Sequence, residues 1–231
     1  MIKVQRPEAV YFLPHGLPSR KVERFTQNGS EPWLREFIPT LLAERPGSVI
    51  SAGAYVGGLL PTLSKCSTKV YAWEPIQEHF ECVRHMLVTN NINNVILHNA
   101  ALGNGHQDLD LTTGCEGAEW LGGDSCVILN GALTSPRLEQ GQWRWRKQTA
   151  SQHTIDDFKY GPVSVLQLDL EGYELQALQG AFNTIRKHCP IIIIEHNANA
   201  ARYLNTLGYT KIQEHAGDVV YKYTKGEHYG S

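Results

Sequence analysis

Ser48-Val-Ile-Ser-Ala52 runs directly into Gly53-Ala-Tyr-Val-Gly57, and Lys69-Val-Tyr-Ala-Trp73 ends in the same manner on Glu74-Pro75. A short, wholly apolar run that stops at a glycine turn or a carboxylate is the pattern of a buried parallel strand. Between the two, Val56 to Ser64 reads as a helix despite Pro61. The unit then repeats outward. Ile76 to Thr89 carries Phe80, Val83, Met86 and Leu87 on one helical face, and Asn94 to His98 is a third strand. Asp108 to Thr112 alternates as a further short strand. Ser164 to Leu168 ends at Asp169, Glu174 to Lys187 is helical, and Pro190 to Ile194 ends at Glu195. Asn199 to Leu207 closes as a helix at Gly208, leaving two strand-like runs, Thr210 to Glu214 and Val219 to Tyr223. Alternation of this kind predicts an α/β fold: a mostly parallel sheet with helices on both faces and an antiparallel C-terminal edge.

Upstream, Ser30 is an expected N-cap and Pro32 lies in the first turn of a helix that Pro39 should kink or split and Pro46-Gly47 should end. Residues 1–29, with Pro7, Pro14, Gly16 and Pro18, read as an irregular N-terminal arm, and residues 30–231 as one domain. Gly114 to Gln152 interrupts the alternation and is expected to be an insertion facing the substrate. Within it, Trp143-Arg-Trp-Arg-Lys147 alternates as an amphipathic edge strand rather than a stacking platform.

The 231 residues carry 21 Lys+Arg against 23 Asp+Glu, a net charge of -2, so there is no cationic footprint for nucleic acid or an anionic membrane surface. No apolar run approaches the ~18 residues of a membrane span, and the N-terminus lacks a signal peptide's apolar stretch, so a cytoplasmic location is expected. Five widely spaced cysteines without a C-x-x-C pair argue against a disulfide framework and a thiolate zinc site.

In an open parallel sheet, ligands bind beyond the carboxyl ends of the strands. The candidate site residues are therefore those in the turns after each strand. Gly53 to Gly57 permits close backbone approach, and Glu74, about 20 residues past that turn, is placed to accept the ribose hydroxyls of an adenosine-containing cofactor. The G-x-G-x-x-G spacing of a nicotinamide site is absent.

Taken together, these blocks resemble the FkbM-type methyltransferases over roughly Ser30 to Tyr223. Val49 to Gly57 is similar to the family's cofactor loop, Val70 to Pro75 to its ribose block, and Val95 to Asn104 to the block beside adenine. Thr154-Ile-Asp-Asp-Phe158, Leu168-Asp-Leu-Glu-Gly-Tyr-Glu174 and Ile191 to Glu195 follow in order, and Glu31 resembles an acidic residue the family carries upstream. The resemblance implies a Rossmann-like class I methyltransferase with a seven-stranded sheet. S-adenosylmethionine would be bound by Ser51, Gly53, Ala54, Tyr55, Gly57, Glu74, Pro75, Asn99, Ala100 and Ala101. Three positions depart from it: the family usually has Asp at Ser51, Asn at Tyr55 and Lys at Gln167.

Transfer to a hydroxyl needs a group that takes its proton, or a metal that lowers its pKa. Asp169 and Glu171 after the fourth strand, with Glu195 and His196 after the fifth, are expected to converge there, His196 as a base near neutral pH. The same set offers hard ligands to a divalent cation such as Mg or Mn. The expectation is an O-methyltransferase acting on a sugar or other small hydroxylated acceptor, with a homodimer compatible with the sequence. The alternative is a catalytically drifted nucleoside-binding or structural module that keeps the fold. A nucleic-acid methyltransferase is disfavoured by the lack of an Asn/Asp-Pro-Pro-Tyr segment.

Overall fold

The computed structural model describes residues 1–115, 125–130, 132–134 and 145–224. The chain opens with a hairpin of β1 (Ile2–Gln5) and β2 (Val10–Leu13), followed by α1 (Ser19–Asn28) and α2 (Pro32–Glu44). Next come β3 (Ser48–Ala52), α3 (Leu60–Cys66), β4 (Val70–Trp73), α4 (Gln77–Thr89) and β5 (Val95–His98). A subsidiary region holds β6 (Ala101–Leu102), β7 (Gln107–Cys115), β8 (Ile128–Leu129), β9 (Ala132–Leu133) and β10 (Trp145–His153). A 3-10 turn, Ile155–Asp157, leads to β11 (Val163–Leu168), α5 (Glu174–Gln179), α6 (Phe182–His188), β12 (Ile191–Glu195), α7 (Ala198–Thr206), β13 (Tyr209–His215) and β14 (Asp218–Tyr223).

The main sheet has seven strands in the order β13-β14-β12-β11-β3-β4-β5. The pairs from β12 to β5 are parallel and the two involving β14 are antiparallel. Strand period divides its side chains between two cores. Val49, Val70, Val165 and Ile193 pack with α2, α3 and α4 on one face. Their neighbours Ile50, Tyr71, Leu166 and Ile194 pack with α5, α6 and α7 on the other. The order of strand addition reverses between β3 and β11, the two parallel strands flanking the switch point, which fixes where a ligand can enter. Among the described residues no helix is long and apolar enough to cross a membrane.

Residues 1–29 form a hairpin and a helix, not an irregular arm. Val4, Tyr11, Leu13 and Phe25 are buried in the same core as α2 to α4. Polar bonds fix the arm in place. The buried Arg6 guanidinium donates to Glu8 Oε1 at 2.7 Å and to the carbonyls of Phe25 and Thr26, and Arg35 donates to the same Glu8 oxygen. Asn90 at the end of α4 bonds both the N–H and the carbonyl of Val10. Strands of only four residues, set among prolines, give too short a period-2 signal to read.

Three further expectations change. The first crossover helix starts at Leu60, not Val56, because Gly53, Tyr55 and Gly57 all have positive φ and Pro61 sits in the first turn instead of interrupting. Pro39 leaves α2 continuous, and α2 is preceded by Glu31 rather than capped by Ser30. The Glu174 to Lys187 helix is two helices parted at Gly180, where a Cβ would collide with the carbonyl of Gly103.

Part of the insertion is also built. β10 is the central strand of a three-stranded sheet, β6-β10-β7, rather than an edge. Trp143, Arg144 and Gly122-Gly123 lie outside the described residues.

Candidate active site

A cavity of about 660 Å³ opens over the carboxyl ends of β3, β4 and β11. Its wall includes Ser51, Gly53, Ala54, Tyr55, Glu74, Pro75, Ala100, Ala101, Asp169 and Glu171, brought together from four separate turns. Gly57, Asn99, Glu195 and His196 are not among the residues lining it. Three of the lining residues, Glu31, Tyr55 and Glu171, are non-glycine residues at positive φ (48°, 49° and 51°). Such conformations cost roughly 1–3 kcal/mol each and gather where surrounding structure enforces them for a purpose.

The glycine turn is shaped by close contact. Gly53 has φ 84°, and a Cβ there would collide with the carbonyl of Asp169, so the ends of β3 and β11 touch backbone to backbone. The turn's own N–H groups are largely engaged: Gly53 and Ala54 donate to Trp73 O at 3.1 and 3.0 Å, and Gly57 donates to Ala54 O. Gly57 is a packing glycine, since a Cβ would stand 2.5 Å from Met86 Cε of α4. The turn therefore contributes a shape to the cavity more than a row of donors.

Glu74 is only 4% exposed. Its Oε2 accepts the N–H of Tyr55 at 2.7 Å, its Oε1 accepts the N–H of Ile76 at 2.9 Å, and His79 Nδ1 lies 3.4 Å from Oε1. The carboxylate is thus oriented by the main chain on both sides, with remaining lone pairs for a ligand. Asn99 serves this block from behind, donating to the carbonyls of Glu74 and Pro75. Trp73 also lines the cavity, and its buried indole N–H has no hydrogen-bond partner among the described residues. A carboxylate held ready and an orphaned donor suit a nucleoside with hydroxyls and ring nitrogens.

The opposite end is a crowd of carboxylates. Asp169, Glu171 and Glu195 bring one oxygen each to within 4.8 Å of one another. Glu31 hydrogen-bonds Asp169, and Asp218 faces Glu195 across the antiparallel β12–β14 pair. Loss of solvent, reinforced by Asp218 and Glu195, pushes the Glu31 carboxyl up to about 7. Burial, with Glu195, Glu31, Glu171 and Asp218 around it, raises Asp169 well above the usual carboxylate range. Like charges this close cannot all ionise, so the cluster holds protons or attracts a cation.

His196 does not join them. Its ring is 72% exposed and lies 4.0 Å from Glu214 of β13, which corrects its expected place as the base. Strand alternation explains this: the residue after Glu195 points to the other side.

Several contacts of the site could not be read from the sequence. Glu174 is 1% exposed; its Oε1 accepts the N–H groups of Leu170 and Gly172, and its Oε2 accepts Asn197 Nδ2 at 2.8 Å. It ties the loop bearing Asp169 and Glu171 to the loop after β12. Ser51 and Gln167, paired in register on β3 and β11, form a buried hydrogen bond of 2.6 Å. Lys21 and Arg24 of α1 line the cavity roof, as do Ser125, Cys126 and Val127 of the insertion, and Thr134 donates to Glu171 O.

The model of the methyltransferase FkbM domain matches residues 51–217. Among solved structures, the methyltransferase FkbM from Methylobacillus flagellatus KT superposes with a TM-score of 0.51 at 17% identity, over 77% of this chain and 44% of that one. This chain therefore spans less than half the length of that relative. An rRNA methylase from Streptococcus thermophilus superposes with a TM-score of 0.46 at 13% identity, over 81% of this chain and 95% of that one. No curated protein matches the sequence. With the family's domain covering most of its length and its strand-end turns enclosing one cavity, the chain belongs to the FkbM methyltransferase family.

Proposed function

We propose that this methyltransferase moves the methyl group of S-adenosylmethionine to a hydroxyl of a sugar or other small hydroxylated acceptor, with the Glu31–Asp169 pair as the proton acceptor. The observation that supports this most is the pair itself. A carboxyl pushed up to about 7, hydrogen-bonded to a second with a raised pKa, sits in the cavity whose other end is Glu74. A base is most effective when its pKa lies near the working pH.

S-adenosylmethionine supplies an already activated methyl group, so the chain's residues have two tasks: alignment and proton removal. Glu74 would hold the ribose hydroxyls, with Ser51, Gly53, Ala54, Tyr55, Pro75, Ala100 and Ala101 shaping the walls around the nucleoside. Glu171 and Glu195 raise the proton affinity of Asp169, so that once deprotonated it is the stronger base. Residues of β2 and α1, with Ser125, Cys126 and Val127 of the insertion, line the cavity and would exclude water and select the acceptor.

A divalent cation is the second reading, favoured by the close approach of one oxygen each from Asp169, Glu171 and Glu195. Three carboxylates suit Mg or Mn rather than a softer ion.

Calorimetric titration with S-adenosylmethionine and S-adenosylhomocysteine, with and without Mg, decides among these. Affinity in about the micromolar range, ~8 kcal/mol, supports a working enzyme. An acceptor screen scored by S-adenosylhomocysteine release then identifies the hydroxyl. Failure to bind either nucleoside overturns the reading in favour of a drifted module. Turnover that is lost with chelator and restored by Mg favours the cation over the free base.

A further inference from the structure

Outside the cavity lies a second group of ligating side chains, on segments that the methyl-transfer reading does not use. His106 precedes β7, His153 ends β10, and Asp157 closes the 3-10 turn before β11. Each brings one ligand atom to within 4.8 Å of the other two. We propose that His106, His153 and Asp157 bind a divalent transition-metal ion of the zinc type.

The donors set the metal class. Two imidazoles and one carboxylate are borderline ligands, suited to Zn, Co or Ni and poorly suited to Mg or Ca. Tetrahedral zinc with bonds of ~2.0–2.1 Å places its ligand atoms roughly 3.4 Å apart. Here His106 Nε2 and Asp157 Oδ2 are 2.8 Å apart, sharing a proton, and the His106 and His153 rings are 5.9 Å apart at 82°. Binding replaces that shared proton with the ion and opens the pair by about half an ångström.

The backbone holds the ligands in place beforehand. Asp157 Oδ2 accepts the N–H of Thr154 at 2.7 Å within a capping box. Asp156, its neighbour, accepts the N–H groups of Asn183 and Thr184 at 2.8 Å, pinning the 3-10 turn to α6. His153 pairs with Leu102 of β6, and its carbonyl accepts Gly103 N at 2.9 Å. Fixed ligands of this kind lose little freedom on binding. The His106 side chain is 66% exposed, so an ion can reach the group from solvent. The bound ion would join the three-stranded sheet to the segment leading into β11. Its expected effect is stabilisation rather than chemistry.

The test uses the full chain stripped with chelator. Zn²⁺ is titrated against a chromophoric competitor, and Co²⁺ is followed by its visible absorption. The wild type should bind one equivalent with a tetrahedral Co²⁺ spectrum, and zinc should raise its melting temperature. The double variant His106→Gln/His153→Gln should lose the spectrum and the melting shift, with zinc affinity falling more than about 100-fold, beyond the range of outer-shell changes. Its metal-free melting temperature and far-UV spectrum should match the wild type. Should it fold poorly, Asp157→Asn keeps an oxygen for Thr154 and should still weaken zinc. Equal zinc affinity in wild type and variants overturns the proposal and places any bound ion elsewhere, the Asp169 carboxylates included. Absence of saturable binding to the wild type overturns it too and leaves a surface ion pair.

Discussion

The two ends of the cavity both carry carboxylates at strand ends, yet they are built in opposite ways. At the end of β4 a single carboxylate, Glu74, is surrounded by donors: two backbone N–H groups and the ring of His79. At the ends of β11 and β12, Asp169, Glu171 and Glu195 meet Glu31 and Asp218, with Arg35 the cation that lowers Glu31. One end is electrostatically complete and can only receive further donors, such as hydroxyls. The other carries excess negative charge and needs a proton or a cation. Carboxylates at the strand ends of one sheet are thus suited to binding or to proton transfer by their neighbours alone.

Asp169→Asn should have the largest effect, removing the proton acceptor but not the shape. Turnover is expected to fall about 10²–10⁴-fold while the affinity for S-adenosylhomocysteine changes little. Steady-state kinetics beside calorimetry separates the two, and a variant that loses both equally would merge the two ends into one binding site. Glu74→Ala comes next and works in reverse. Losing charge-assisted bonds of ~1.5–3 kcal/mol should weaken nucleoside binding about 10–100-fold. Because the carboxylate also holds Tyr55 and Ile76, Glu74→Gln should lose less, and an equal loss in both variants would make charge irrelevant at this end.

How much of this contrast was readable beforehand differs between its parts. Strands such as Ile191–Glu195 and Val163–Leu168 were legible because burial on both faces demands continuous apolar runs, and they carried the carboxylates at their ends with them. The roof was not. The hairpin of β1 and β2 is stable through Arg6, Glu8 and Asn90, contacts that no periodicity records. In the sequence, Ser51 and Gln167 stand as two separate departures from the family pattern. In the structure they sit in register and replace the usual Asp and Lys with a neutral hydrogen bond, one coordinated exchange that keeps the buried position satisfied. Glu174, the last residue of the signature segment, could not be told from its neighbours by type. Its role as the tie between two loops depends on where Asn197 lies.

The crowded end also predicts a pH dependence whose sign is fixed. Glu31 ordinarily titrates near 4.5 and in the folded protein near 7, so between these values the folded state holds a proton that the unfolded chain releases. Stability should therefore fall as pH rises through that window, by about 1–3 kcal/mol, with Asp169 contributing in the same direction. Glu31→Gln should flatten the slope in denaturant melts at pH 5, 6 and 7. An unchanged or rising stability would show that the cluster is not crowded in solution.

The smallest effect belongs to His196. Chain order places it beside Glu195, but its ring is solvated, next to Glu214, and not among the residues lining the cavity. The pair it makes there is an exposed one and contributes little. His196→Ala should leave turnover and cofactor affinity within about twofold of wild type, a change below 0.5 kcal/mol in the activation barrier. A tenfold fall in turnover with unchanged affinity would instead mean that the ring swings in over the acceptor and supplies the base. The Glu31–Asp169 pair would then serve only to attract positive charge, and the division of labour between the two ends would have to be drawn again.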